Sequence, residues 1–599
     1  MSKQVYCAAL VWLIGLFVLP ITRANAENVV TVRGPVVVSG HPEATRIGID
    51  VIKSGGNAID ALVATSMALG VAEPGNSGLG GKLVVLYYDA ATRQSTFLTA
   101  LEAAPMALKV DEIVALPAAS RARGWQSVCV PGLAAGLGAV HEKWGSRPWS
   151  ELVKPAAALA REGFILSERV AEMNSEFPLT INGQANNAEA ITVFAPGGKH
   201  LPSGARFTNP DLATTLDDIA NNGWQSFYTG RIAAAIVKAA NDAGSPLSAE
   251  DFNHYKPRFS TPLKFNYKAY EIHTSPAPLT GGTILAGTLK AIEPMDFTGK
   301  AKSTRDAAFI DYHSRVLTQW YPISSRLAGD MPDAQAKIER SLSAESIAKV
   351  RSAAAELNPT ELGGDPSFRV NPAGAPADAR GMIAMPEPAL AYAAIAGDSE
   401  EAFGCTTHLM IVDAAGNVVV ATQSLGWHFG AAVVAPGTGV LMANGMNNFG
   451  YTSPNSVNYV APGKWPRSTI APTIAFKSGK PFVMIGAAGG QRIPTQITSV
   501  LLDVLDFNRP IAEAIREPRY HLRRATARGE PDNVIDFETG FSAETISEIA
   551  KLGWRTMPAL PGGYFFANVN AATAASDGTL TAVADPRRAS DAQGLNITD

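Results

Sequence analysis

Apolar positions between His41 and Glu73 recur at helical spacing. Ile47, Val51 and Ile52 share one face, and Ser54-Gly55-Gly56 ends the periodicity, so a first helix is predicted to stop there. Asn57 offers a capping oxygen for a second helix, whose stripe runs through Ala61, Ala64, Met67 and Val71 and closes before Pro74. The run Gly75-Asn76-Ser77-Gly78-Leu79-Gly80-Gly81 then leads into a strand over 83–87. It lacks the Lys-Ser/Thr pair of a phosphate-binding loop and precedes a strand rather than a helix, so it predicts a close backbone approach that only glycine allows.

From about 130 to 355 the pattern reads mostly as helices with short polar loops. The stretch 357–377, rich in Pro and Gly and without periodicity, predicts a surface loop. Beyond it the period changes to two. Strands are predicted over 408–412 and 418–422 around a turn at 413–417, and a second hairpin pairs 473–476 with 482–485. Gly486-Ala487-Ala488-Gly489-Gly490 follows, and a helix over 495–505. Hairpins together with long helical runs give a layered α/β protein built on antiparallel sheet.

The chain has 599 residues, which predicts several domains or one very large unit. Charged residues are 17% against about 25% in an average soluble protein, and the hydrophobic set is 46%, so disorder is excluded as the main state. Lys plus Arg is 50 and Asp plus Glu 54, a net charge of -4. With no basic stripe, a nucleic-acid partner is not expected. Three cysteines cannot make a disulfide framework or a Cys-rich zinc site. At the N-terminus, Lys3, an uncharged run over 5–21 and Ala24-Asn25-Ala26 predict a signal peptide over 1–26. A single membrane anchor is the other reading of that run. Cleavage after Ala26 would leave Cys129 and Cys405, with nothing local arguing for a bridge. No later segment has the apolar length of a span, so a soluble periplasmic or secreted protein without a stable membrane anchor is expected.

The sharpest chemistry is Gly404-Cys405-Thr406-Thr407-His408 at the start of the first hairpin. An internal threonine hydroxyl is a poor nucleophile. If the Cys405–Thr406 bond were cut, the new α-amine, with an unperturbed pKa of about 7.7–8.0, would lie beside the hydroxyl as its base. Strand alternation puts Thr406 and His408 on one face and Thr407 on the other. By themselves, two threonines opening a strand are equally ordinary strand formers.

The chain resembles the γ-glutamyltranspeptidase family over nearly all of its length. The resemblance rests on His41-Pro42, Gly55-Gly56-Asn57-Ala58, Glu73-Pro74, Ser77-Gly78-Leu79-Gly80-Gly81, Ser127-Val128-Cys129-Val130-Pro131-Gly132, Phe227-Tyr228-Thr229-Gly230 and Gly281-Gly282. It continues through Thr406-Thr407-His408, the turn at 413–417, Ala471-Pro472-Thr473-Ile474, Gly489-Gly490 and Pro518-Arg519-Tyr520. It implies a four-layer αββα N-terminal-nucleophile hydrolase fold, formed jointly by a large subunit over 27–405 and a small one over 406–599 after self-cleavage. It also implies Thr406 as nucleophile, Ser424 as the hydroxyl beside it, Gly489 and Gly490 as the oxyanion hole, and Ser468 and Thr469 on the donor's carboxylate. No cofactor or metal is implied, and His141 and His273 read as structural.

Three positions depart from the family's head-group site. Leu101, next to Glu102 in the substrate pocket, stands where the family has an arginine. Gly426 stands for its asparagine, and Asn448 for its acidic residue. Arg467 is a candidate replacement cation, and a segment between Phe449 and Ser468 shorter than in typical family members predicts an open pocket. The resemblance implies an amidohydrolase or acyltransferase taking a small amide or peptide donor and a water or amine acceptor. Its donors are γ-glutamyl amides such as glutathione or, alternatively, glutaryl-type or other acyl amides lacking the α-amino acid head. A non-catalytic exported binding protein is the reading from another class.

Overall fold

The computed structural model describes residues 28–295, 297, 301–362, 404–523, 532–558 and 566–596. The predicted signal peptide at 1–26 and most of the predicted loop at 357–377 lie outside them. Both early helix signals are used. His41 Nδ1 accepts the Glu43 N–H (3.2 Å) to open the helix Pro42–Lys53. Asn57 opens Ala58–Ala72 with a capping box, its Oδ1 accepting from Ile59 and Asp60 while Asp60 accepts the Asn57 N–H. The Asp413–Asn417 turn docks on this helix start. One Asp413 oxygen accepts from the turn's own Ala415 and Asn417 N–H groups, and the other accepts the Ala58 N–H (3.0 Å).

Two seven-stranded sheets form the centre. The first runs in the order Val29–Val32, Leu580–Val583, Asn568–Ala574, Lys480–Ala488, Thr473–Lys477, Tyr270–Thr274, Leu263–Tyr267. The second runs Asp591–Gly594, Val36–Ser39, Gly404–Val412, Val418–Trp427, Lys82–Asp89, Gln94–Ala100, Arg258–Ser260. Every neighbouring pair within both is antiparallel. The sheets pack face to face through Gly404–Val412 and Lys480–Ala488. Helices Pro42–Lys53, Ala58–Ala72 and Leu133–Trp144 cover the second sheet, and Thr280–Ile292, Arg492–Leu505 and Ile511–Arg516 cover the first. The layers are therefore αββα, as expected.

The middle of the chain is not all helix and loop. The strands Arg258–Ser260, Leu263–Tyr267 and Tyr270–Thr274 lie within it and close one edge of each sheet. Their signal is a brief alternation, Leu263-Lys264-Phe265-Asn266-Tyr267, turned at Lys268 with φ +50, without the glycine that usually marks such a turn. The helix expected over 495–505 starts earlier, at Arg492, because Pro494 is tolerated in a first turn.

Buried imidazoles make the fold acid-sensitive. His408 sits between the sheets: its Nδ1 is 2.8 Å from Thr422 Oγ1, and a Cβ on Gly486 would lie 2.1 Å from its ring. Burial lowers His408 and His313 to about 3 and His41 to about 4. A histidine held neutral in the native state stabilises fully above its unfolded pKa of about 6.5. That stability is lost as pH falls from there toward the folded pKa, by about 1.4 kcal/mol per unit per group. The melting temperature is expected to drop between pH 6.5 and 4. His408→Asn should make that drop shallower in calorimetry, and an unchanged slope would contradict the assignment.

Candidate active site

The strands Gly404–Val412 and Val418–Trp427 pair in simple register up to Thr406 opposite Ser424. There one residue, Leu425, is extra, and Cys405 next faces Gly426. Leu425 turns aside, giving its N–H to the Asn76 carbonyl (3.1 Å). The bulge aims the Ser424 hydroxyl at the Cys405–Thr406 peptide. Ser424 Oγ donates to the Cys405 carbonyl oxygen (2.7 Å) and accepts from the Thr406 hydroxyl (3.1 Å) and the Gly426 N–H (3.0 Å). Arg588 donates to the Thr406 carbonyl from the far end of the chain (2.8 Å). The glycine loop acts as predicted, because a Cβ on Gly81 would lie 2.3 Å from the Ser424 carbonyl oxygen.

Thr406 and Ser424 open onto a small cavity whose wall also holds Gly426, Asn448, Ser468, Thr469 and Gly490. Gly281 allows helix Thr280–Ile292 to approach the Thr469 carbonyl, where a Cβ would stand 2.0 Å away, and Thr280 donates to the Ser468 carbonyl (2.8 Å). Thr469 in turn donates to the Gly490 carbonyl (2.9 Å). Gly489 and Gly490 have φ of +148 and +59, and a Cβ on Gly489 would lie 2.6 Å from Ala567 Cα. They precede the N-terminus of helix Arg492–Leu505, whose partial positive charge favours a developing anion.

The structure separates the other expected residues. Leu101 is fully buried in the main core, and Glu102, also fully buried, stands behind the cavity rather than in its wall. Arg467 is half-buried and does not line the cavity. Asn448 does line it, with its side-chain nitrogen buried and lacking a hydrogen-bond partner. The expected open pocket is not found. Segment 449–467 is tied to itself through Gly450, which donates to the Asn458 carbonyl, and Lys464, which donates to the Val457 and Tyr459 carbonyls, and none of its residues lines the cavity. Thr406 is left 4% exposed. Cys129 and Cys405 are free and buried, and burial pushes the Cys405 thiol up. Thr407 points away from Thr406: an added Cβ on Gly40 would meet both Thr407 Oγ1 and the Glu73 carboxyl, which burial pushes up. His273 is held by Ser95 and Glu271, and His141 by the Arg147 carbonyl.

Sequence reasoning missed Lys82, Trp427 and Arg588. Lys82 lies in the cavity wall, 2% exposed, with its ammonium 3.4 Å from Glu102 Oε2. Its signal was present: a lysine directly after Gly81, opening an otherwise apolar strand, is out of place unless paired. Trp427, whose ring nitrogen is buried without a hydrogen-bond partner, also lines the cavity. Arg588 offered no local signal, since its partner is a backbone carbonyl distant in sequence.

Comparison with known proteins gives a consistent answer. The family described as Gamma-glutamyltranspeptidase matches residues 44–595. The chain is 29% identical over 572 residues to the glutathione hydrolase proenzyme of Bacillus subtilis (strain 168), covering 94% of this chain and 92% of that one. It is 29% identical over 587 residues to the protein of the same name from Escherichia coli (strain K12), covering 96% and 94%. A cephalosporin acylase from Bacillus halodurans shares the fold, with a TM-score of 0.80 and 24% identity over 96% of this chain and 98% of that one.

The hydrogen-bonded unit of Thr406, Ser424 and the Cys405 carbonyl places a hydroxyl and a polarising donor at one peptide bond. Thr406→Ala is expected to leave a single uncut chain in an intact-mass spectrum. Ser424→Ala, which removes the donor to the carbonyl oxygen, should slow the cut by about 100-fold or more. Wild-type kinetics in the Ser424 variant would rule out that role.

Proposed function

The chain belongs to the γ-glutamyltranspeptidase family, and on that premise we propose that it is a self-processing amidohydrolase for acyl groups lacking the α-ammonium of a γ-glutamyl head. In the precursor, Thr406 Oγ adds to the Cys405 carbonyl carbon and the bond to the Thr406 nitrogen breaks. Water then hydrolyses the ester, leaving a Cys405 carboxylate and a free Thr406 amine. That amine takes the hydroxyl proton as Oγ attacks the donor's amide carbonyl. The N–H groups of Gly489 and Gly490 receive the oxyanion, the leaving amine departs protonated, and water releases the acyl group from Thr406. Ser468 and Thr469 line the acyl side of the cavity. The predicted signal peptide makes this an exported enzyme, with 27–405 and 406–599 as its subunits.

The observation that favours this donor class is the composition of the cavity wall. An α-ammonium needs an anionic or carbonyl acceptor, and burying it without one is costly. Among the described residues the wall contains no Asp or Glu. Asn448 offers a carboxamide in place of a carboxylate, and Gly426 offers no side chain. The names of the Bacillus subtilis and Escherichia coli relatives favour the other reading, in which glutathione and related γ-glutamyl amides are the donors. The Thr406–Ser424–Cys405 hydrogen bonds argue against a protein that kept the fold and lost the chemistry.

Nitroaniline release from paired γ-glutamyl and glutaryl p-nitroanilides tests the proposal, because the two differ by the α-amino group. Processed enzyme is expected to cleave the glutaryl compound with a kcat/KM at least about 10-fold higher, the order of one lost hydrogen bond to a charged group. Faster γ-glutamyl cleavage would overturn the donor class.

A further inference from the structure

Strand register puts Lys82 opposite Ser424 and Ser424 opposite Thr406, so the three side chains form one row across adjacent strands. Directly opposite residues on antiparallel strands share a face. Two strand spacings separate the ends of the row by roughly 10 Å at the backbone, and both end residues line the same cavity. A buried lysine there is unusual. Its carboxylate partner, Glu102, has both oxygens buried without a hydrogen-bond partner and lies outside the cavity wall, while Lys82 is part of it. Lys82 thus belongs to the cavity wall, and its anionic partner lies behind that wall. Asn448 and Trp427 add two buried N–H donors without partners to the same wall.

We infer that Lys82 is a specificity-determining residue that receives an anionic group at the far end of the acyl chain, selecting short dicarboxylic monoamides of succinyl-to-adipoyl length. This rests on the donor reading above and adds the charge at the distal end. With the donor carbonyl on Thr406 Oγ, the row directs the acyl chain past Ser424 toward the ammonium. Asn448 and Trp427 supply neutral donors to the same anion. Glu102 is a positioning residue, holding the ammonium at the wall from behind.

The test compares glutaryl and valeryl p-nitroanilides, which lack the α-amino group alike and differ in the distal carboxylate. Wild-type enzyme is expected to favour glutaryl by about 10–100-fold in kcat/KM, the range of a hydrogen bond to a charged group. Lys82→Met should abolish that preference, with the loss falling chiefly on the glutaryl kcat/KM. Equal losses on both substrates, or an unchanged preference, would overturn the inference. Removing Lys82 alone leaves Glu102 as an uncompensated buried charge, so the double variant Lys82→Met/Glu102→Gln is made in parallel, with self-cleavage and melting temperature reporting its fold. It should show the same loss of preference. On unaltered enzyme, glutaric monoamide should raise the melting temperature more than uncharged glutaric diamide, and equal shifts would also count against the proposal. Failure of the donor reading itself shows separately, as wild-type preference for γ-glutamyl over glutaryl anilide.

Discussion

The extra residue at Leu425 is the constraint on which the site depends. Without it, Ser424 would be one more strand residue facing Thr406; with it, the Ser424 hydroxyl reaches back to the Cys405 carbonyl oxygen. The bulge needs Gly426 at φ +90, and a Cβ there would stand 2.2 Å from Asn444 Oδ1. Asn444 is not free to give way, because it accepts the Trp427 N–H and donates to the Ala122 carbonyl. Glycine at 426 is therefore dictated by the backbone of the bulge. A side chain at 426 would meet strain and collision together.

A second set of forces holds the strand that begins at Gly404 from the end of the chain. Asp585 is fully buried between Arg519 and Arg587, accepts the Val569 and Arg587 N–H groups, and is held below the usual carboxylate range against its burial by the two arginines. Arg587 also pairs with Glu538. This network fixes the segment from which Arg588 reaches the Thr406 carbonyl. Such buried pairs contribute little net stability, because desolvation offsets attraction, but breaking one exposes a lone charge to a dry interior. They specify position. The same reasoning applies to Lys82 and Glu102, whose pairing keeps a cation where an apolar residue would pack more cheaply.

Both sheets interleave strands from either side of the Cys405–Thr406 bond. Tyr270–Thr274 pairs with Thr473–Lys477, Val29–Val32 with Leu580–Val583, and Lys82–Asp89 with Val418–Trp427. Cutting one peptide bond at the start of Gly404–Val412 removes none of these ladders. Under the proposed cleavage, these ladders would hold the two chains together, with Thr406 already lining the cavity before the cut.

Much of the fold was legible because its signals are local. Helix periodicity at 47–52, the cap at Asn57, the turn at Asp413 and the strands on either side of it depend on neighbours a few residues away, and the structure uses each of them. The ordered motifs also named Thr406, Ser424, Ser468, Thr469 and the two glycines, and the structure brings most of these to one cavity. The hairpin at 263–274 was lost because five alternating residues are too few to outweigh the helical sequence around them. Leu101 and Arg467 were placed at the donor site by position in a motif, yet one is buried in the core and the other is half-buried outside the cavity wall. Lys82 was passed over because its meaning lies in strand register: it faces Ser424 and, beyond it, Thr406 across hydrogen bonds between segments distant in the chain. The sequence by itself determined most of the elements and pointed to Thr406 as the candidate nucleophile, since both rest on short-range patterns and ordered motifs. Which charges line the cavity was decided only by tertiary structure, because long-range register and the direction of each side chain arise when the sheets assemble.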